Sequence, residues 1–258
     1  MEPDDACKNV SAVRKVAAIA INSRRSLRVI FLICVAITVL LFFLDYSVNW
    51  RGGSSSESIR RMFNTAAEHS IAGWYSTTLT FVVALVAWAN LALARHIERS
   101  SWRYSGWLII ALLFTYLSLD DGAELHEHLG EGLKQSPLFS DLIAAYPSYT
   151  WQIVSGPVFI ALGVFMLYFL WKTLPRRNEK LGILSAFSCL ALAVGQDFIE
   201  GTINEYDRVQ RYGLDADTVL HFSKSVEESL EMLGMTFFLI VFLSHLMHTF
   251  RTITLEFK

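Results

Sequence analysis

The run Val29-Ile-Phe-Leu-Ile-Cys-Val-Ala-Ile-Thr-Val-Leu-Leu-Phe-Phe-Leu-Asp45-Tyr46 carries no charge until it reaches an aspartate at its far end. A bilayer core about 30 Å thick is crossed by about 20 mostly apolar residues in a helix rising about 1.5 Å per residue. Lipid offers the backbone no hydrogen-bond partners, so a continuous run of this length spans as a helix. Working outward, five more blocks of the same kind lie near Ile71–Ala94, Tyr104–Leu119, Trp151–Leu174, Leu181–Ile199 and Val219–Met247. The composition agrees: 53% of the 258 residues are hydrophobic, 18 are Phe and 7 Trp, and the mean hydropathy is +0.39. That is too apolar for a soluble domain of this size. The expected fold is an all-α, six-span transmembrane helix bundle.

Three details of the spans follow from local sequence. The third block is short and is expected to run on as helix into the acidic stretch behind Leu119. The fourth contains Gly156-Pro157, where the proline removes a backbone bond and predicts a kink. Asp45 closes the first span at an interface, where an acid needs no special role.

Orientation is read from Lys and Arg. Most of the 22 basic residues, among them Arg14, Lys15, Arg24, Arg25, Arg28, Arg95, Arg99, Arg103, Arg176, Arg177 and Lys180, fall on one set of connections. The positive-inside rule puts that set, and both termini, in the cytoplasm. The chain then divides into a basic cytoplasmic segment 1–28, a membrane domain 29–248 with outer loops 47–70, 129–150 and 200–218, and a cytoplasmic tail 249–258. Residues 1–28 do not read as a cleavable signal peptide, because the apolar core lies too far from Met1. Val10 to Ile21 is either a segment lying on the cytoplasmic leaflet or a basic tail. Between Leu129 and Tyr149, Ser136-Pro137 opens a short surface helix that Pro147 ends.

Several classes are excluded. A net charge of −2 with no basic stripe gives no reason to expect nucleic acid. Cys7, Cys34 and Cys189 are scattered with no CxxC spacing, which argues against a disulfide framework or a thiolate metal site.

Chemistry concentrates where the third span ends. Leu119-Asp120-Asp121-Gly122-Ala123-Glu124-Leu125-His126-Glu127-His128 packs four carboxylates and two imidazoles into ten residues. The span order brings further groups to the same outer layer: Glu68 before span two, Asp197 and Glu200 at the end of span five, and His221, Lys224, Glu227, Glu228 and Glu231 at the start of span six. A charge at mid-bilayer costs roughly 2.5–3.5 kcal/mol, so such groups need a compensating partner. Asp120, Glu124 and Glu127 at i, i+4 and i+7 form one helical stripe, with Asp121 on a neighbouring one. His221, Lys224, Glu228 and Glu231 share about a quarter-turn of span six.

Two compensations are open, beside the plainer reading that these are solvated helix ends with no shared role. Carboxylates with imidazoles between bundle helices suit a divalent metal, Zn, Fe or Mn, with Asp120, Glu124, His126, His221 and Glu228 as ligands. Glu127 and Glu231 would then be spare proton acceptors beside a metal-bound water. The Glu-x-x-His and His-Glu-x-x-His signatures are absent, however. The other is a metal-free network of acids paired with His126, His221, Lys224 and arginines. The favoured function is a metal-dependent hydrolase or oxidoreductase acting on a lipid-like substrate. Against it stand an accessory or assembly subunit of a membrane complex, and a proton- or cation-coupled transporter. The inner halves of the spans, with little beyond Asn90, Ser185 and Ser188, count against transport. Membrane lipid is the expected partner, with partner subunits or a second copy left open.

Trp74-Tyr75-Ser76 after Glu68, Leu119-Asp120-Asp121 followed by His126-Glu127, and Glu227-Glu228-Ser229-Leu230-Glu231-Met232-Leu233-Gly234 together resemble a group of bacterial multi-pass membrane proteins of unassigned function. The resemblance covers spans two to six, with Asp121 where glutamate is expected. It implies a bacterial inner-membrane setting and importance for Asp120, His126, Glu127, Glu228 and Glu231, but no activity. The Leu-Asp-acidic fragment is also similar to one in alkaline ceramidases. Those have seven spans and three zinc-binding histidines, and their catalytic residues do not carry over.

Overall fold

The computed structural model describes residues 17–19, 23–67, 69–97, 101–125, 128, 132, 152–153, 155–203, 215–249 and 253–255. Within them α1 runs Ser23–Leu44 and passes directly into a π-helical turn, Asp45–Trp50. There follow α2 (Glu57–Met62), α3 (Ile71–Ile97), α4 (Ser101–Ala123), α5 (Gly156–Thr173), α6 (Arg177–Ile203) and α7 (Ala216–Thr249). All but α2 are long and apolar enough to cross a membrane, which makes an all-α bundle of six spans. Six crossings return the chain to the end where it began. There the short strands β1 (Ala17–Ile19) and β2 (Ile253–Leu255) pair antiparallel, Ala18 opposite Thr254.

The longest helix, α7, is the hub and packs on α6, α3 and α1. Its Phe238 and Phe242 are fully buried and lie 5.2 and 5.6 Å from the ring of Phe114 on α4. Phe187 of α6 and Trp107 of α4 extend the same cluster, at 5.4 Å from Phe238 and 5.3 Å from Phe242. Lipid tails are as apolar as these rings, so shape and close approach, rather than release from water, hold the helices together. Small residues mark the approaches. A side chain at Gly106 would enter the ring of Phe169, and a Cβ at Gly182 would come within 2.6 Å of Val241. α1 is apolar all round but buries only Cys34, Thr38 and Leu41, leaving Leu32, Ile33, Val39, Leu40 and Phe43 exposed, as a lipid-facing helix does.

As expected, the third span runs on as helix into the acidic stretch, through Asp120 and Asp121, and α4 stops at Ala123. Glu124 then takes a left-handed φ of 52°, and the His128 amide donates to the Glu124 carbonyl at 3.0 Å. One expectation about the spans is corrected: Pro157 does not kink a continuing fourth span. A turn at Ser155 precedes α5, and the proline sits in its first turn, where a missing N–H costs nothing. The segment around Ser136-Pro137, and Trp151, lie outside the described residues. Of Val10 to Ile21, the described part, Ala17–Ile19, is extended.

Candidate functional site

At one end of the bundle α1, α4 and α6 finish while α3, α5 and α7 begin. Polar side chains from α1, α3, α4, α6 and α7, with Gln152 just ahead of α5, meet there in three groups.

The first joins α1 to α7. Asp45 is buried, and its Oδ1 accepts a hydrogen bond from Asn49 Nδ2 at 2.8 Å across the π-helical turn. Its Oδ2 accepts from Ser225 Oγ at 2.8 Å and from His221 Nε2 at 3.0 Å. His221 and Ser225 are four residues apart, so one face of α7 delivers both. An ionised carboxylate only accepts, which places the imidazole proton on Nε2. The ring of Trp50, at the last residue of the turn, stacks on His221 at 4.8 Å and 15°.

The second joins α3 to α4. Thr77 Oγ1 donates to Asp121 Oδ2 at 3.0 Å, and Ser118 Oγ donates to the Thr77 carbonyl at 3.2 Å. Asp120 points the other way and is buried, with the Tyr116 hydroxyl 3.4 Å from its Oδ1. Glu124, beyond the helix end, lies 3.9 Å from the exposed His69.

The third is a seam between α6 and α7. Gln196 Nε2 donates to both the carbonyl and the hydroxyl of Ser223, at 2.6 and 2.9 Å. Asp197 is buried and accepts from Gln152 Nε2 at 2.9 Å. Lys224 Nζ donates to Glu227 Oε1 at 2.8 Å and lies 3.7 Å from Glu228. Glu200 and Glu227 are 6% and 3% exposed, yet Oε1 of the first and Oε2 of the second have no hydrogen-bond partner among the described residues. Each is nonetheless within electrostatic reach of Asp197 and Lys224, and Glu227 also of Glu200. Glu231, one turn deeper, feels Glu228, Glu227, Lys224 and, across the bundle, Asp121.

Helical phase explains the arrangement. At about 100° per residue, His221, Glu228, Lys224, Glu231 and Glu227 sweep in that order through about a third of a turn. One edge of the arc faces α1, the middle faces α3 and α4, and the other edge faces α6. The quarter-turn read from sequence is therefore one arc, but its members part company. His221 turns to Asp45 on α1, not to the acids of α4, while Lys224 and Glu228 pair with each other. Of the stripe Asp120–Glu124–Glu127, Asp120 is on α4 and Glu124 lies just beyond its end with a left-handed φ of 52°. Glu68, His126 and Glu127 lie outside the described residues. Among the described ones, no three His, Cys, Asp or Glu side chains converge closely enough to hold a metal ion.

A family model, domain of unknown function DUF8692, matches residues 15–246. The chain belongs to this family. No curated protein and no solved structure matches it. The DUF8692 region takes in five spans, all but the last three residues of the sixth, and every polar group just described. Within it, sequence reading passed over Asp45, Asn49, Trp50 and Ser225, as well as Thr77 and Gln152. A signal existed for the first group. Asn49 lies four residues after the acid that closes the first span, and Ser225 four after His221, each a spacing that lets polar groups meet on a helix.

Proposed function

We propose that this DUF8692 protein is a bacterial inner-membrane protein with both termini in the cytoplasm, whose α6–α7 seam binds a cationic ligand at the extracytoplasmic face. One observation carries the reading: Glu200 and Glu227 are buried, and each keeps a carboxylate oxygen that no group among the described residues satisfies. Leaving a buried acceptor unmet costs about 1–3 kcal/mol, and more when it is charged. A ligand that brings positive charge and N–H donors offsets that cost. The acids of the seam are spread rather than gathered on one point, which suits a ligand with several donors better than a bare divalent ion. A Zn, Fe or Mn centre would draw on donors beyond the described residues.

The test is thermal unfolding of detergent-solubilised protein titrated with ethanolamine and, separately, with Mn²⁺. A ligand present at 100 times its Kd stabilises by about 2.7 kcal/mol. Saturable stabilisation by either cation, lost in a Glu200→Gln/Glu227→Gln variant, is the expected result. No shift with either removes the reading.

A second reading, hydrolysis of a bound lipid-like substrate, is favoured by the geometry of His221. Asp45 holds its Nε2 and Trp50 its plane, which leaves Nδ1 as the nitrogen that accepts a proton. Water attacking an ester carbonyl would give its proton to Nδ1, and the departing alcohol would take it back. General-base catalysis contributes typically 10²–10⁴-fold, so His221→Gln should lose about that much turnover while keeping ligand binding.

A further inference from the structure

The connection from Arg51 to Asn64 carries three arginines, Arg51, Arg60 and Arg61, against one acid, Glu57. In the proposed orientation it stands outside the cytoplasm, on the side where membrane proteins keep fewer basic residues. The fold sets it at the membrane surface. The π-helical turn closes the first span, and its last residue, Trp50, is 37% exposed, as an aromatic side chain at headgroup level is. α2 packs on that turn. Ile59 and Met62, three residues apart on one face of α2, are 44% and 50% exposed, so this face turns away from the protein. A helix with an apolar outward face flanked by arginines lies in the interface plane, its apolar side chains at the edge of the acyl region.

The arginines have no counter-charge of their own. Arg51 lies over the Tyr46 ring at 5.8 Å, and among the described residues no carboxylate pairs with it, with Arg60 or with Arg61. Glu57 and Arg61 sit four apart on α2 without forming an ion pair. Nε of Arg60 is shut off from solvent and has no hydrogen-bond partner among the described residues. The residue as a whole is half-buried, which leaves the outer edge of its guanidinium, with the two terminal nitrogens, as the part a ligand reaches. That planar fork matches two oxygens of a phosphate. We propose that α2 and the π-helical turn seat an anionic phospholipid of the leaflet at this end of the bundle. Its phosphate would sit on the Arg60 fork, with Arg51 and Arg61 supplying further positive charge and the acyl chains running past Ile59 and Met62. A zwitterionic headgroup sets its own ammonium against the phosphate, whereas a net anionic one leaves its charge for the arginines. The site stands on the α1 side of the bundle, takes the opposite charge to the α6–α7 seam, and does not depend on it.

The experiment reconstitutes the full chain, with its native cysteines replaced and a bimane attached at Ser58→Cys on α2, in phosphatidylcholine vesicles. These carry brominated phosphatidylglycerol or brominated phosphatidylcholine at equal mole fraction, and quenching of the bimane reads which lipid sits at α2. Phosphatidylglycerol is expected to be enriched there about fivefold, the effect of one basic side chain near an anionic headgroup. Arg51→Gln/Arg61→Gln, at exposed positions that leave the packing alone, should reduce the enrichment. Arg60→Lys, which keeps the charge but not the fork, should reduce it too. Equal quenching by the two lipids overturns the proposal, as does an enrichment that both variants retain in full. Loss of the enrichment on adding inorganic phosphate would show that the site takes phosphate from solution, and overturns the lipid assignment.

Discussion

At the scale of single residues, two carboxylates of the same bundle end have opposite circumstances. Asp45 receives three donors from Asn49, Ser225 and His221. Removing it strands those donors away from water, and breaking a buried pair by deleting one partner costs about 3–5 kcal/mol. Asp45→Ala should therefore lower the stability of the detergent-solubilised protein by about that amount in chemical unfolding, and Ser225→Ala by clearly less. Glu227 has one oxygen on Lys224 and the other unmet. Glu227→Gln keeps the acceptor for Lys224 and removes a buried charge, so it should leave stability within about 1 kcal/mol of wild type. If the two substitutions cost the same, the distinction drawn between a structural acid and a ligand-binding acid is wrong. The sequence showed both as acids at the ends of spans. It could not show which had partners, since those partners lie 176 and 180 residues away in the chain for His221 and Ser225.

At the scale of elements, the informative event is the end of α4. A non-glycine residue in the left-handed region costs roughly 1–2 kcal/mol, because Cβ crowds the following carbonyl. Glu124 accepts that conformation at φ 52°, and its side chain lies 3.9 Å from the exposed His69, a pair worth little. Glu124→Gly should raise the unfolding midpoint slightly, and Glu124→Val should lower it, since a β-branched side chain fits that region worst. Equal midpoints for the two would mean that α4 runs straight through. Periodicity alone favoured that straight run, because the polar spacing of Asp120, Glu124 and Glu127 is helical. What breaks it is a single backbone angle, and no residue type in the stretch announces it. The π-helical turn at Asp45–Trp50 is equally silent, being made of ordinary residues whose extra turn width follows from the clasp on α7.

At the scale of the whole molecule, the even number of spans and the pairing of β1 with β2 bring both chain ends to one end of the bundle. The proposed orientation, drawn from the bias of the basic residues, puts that end in the cytoplasm. In a background with the native cysteines replaced, a membrane-impermeant maleimide added to intact cells should modify Ser55→Cys, on the exposed connection before α2. It should not modify Asn178→Cys at the start of α6 until the membrane is permeabilised. The reverse pattern would invert the bundle and move the seam to the cytoplasmic side. Apolar length and charge bias by themselves determined the six helices, their alternation and the layer in which the acids gather, because hydrocarbon forbids unpaired backbone and penalises charge wherever they occur along the chain. Only the tertiary structure decided which of those acids meet. Partner choice depends on helix rotation, on where a helix stops, and on which neighbours stand close, and these are set by packing between segments distant in sequence.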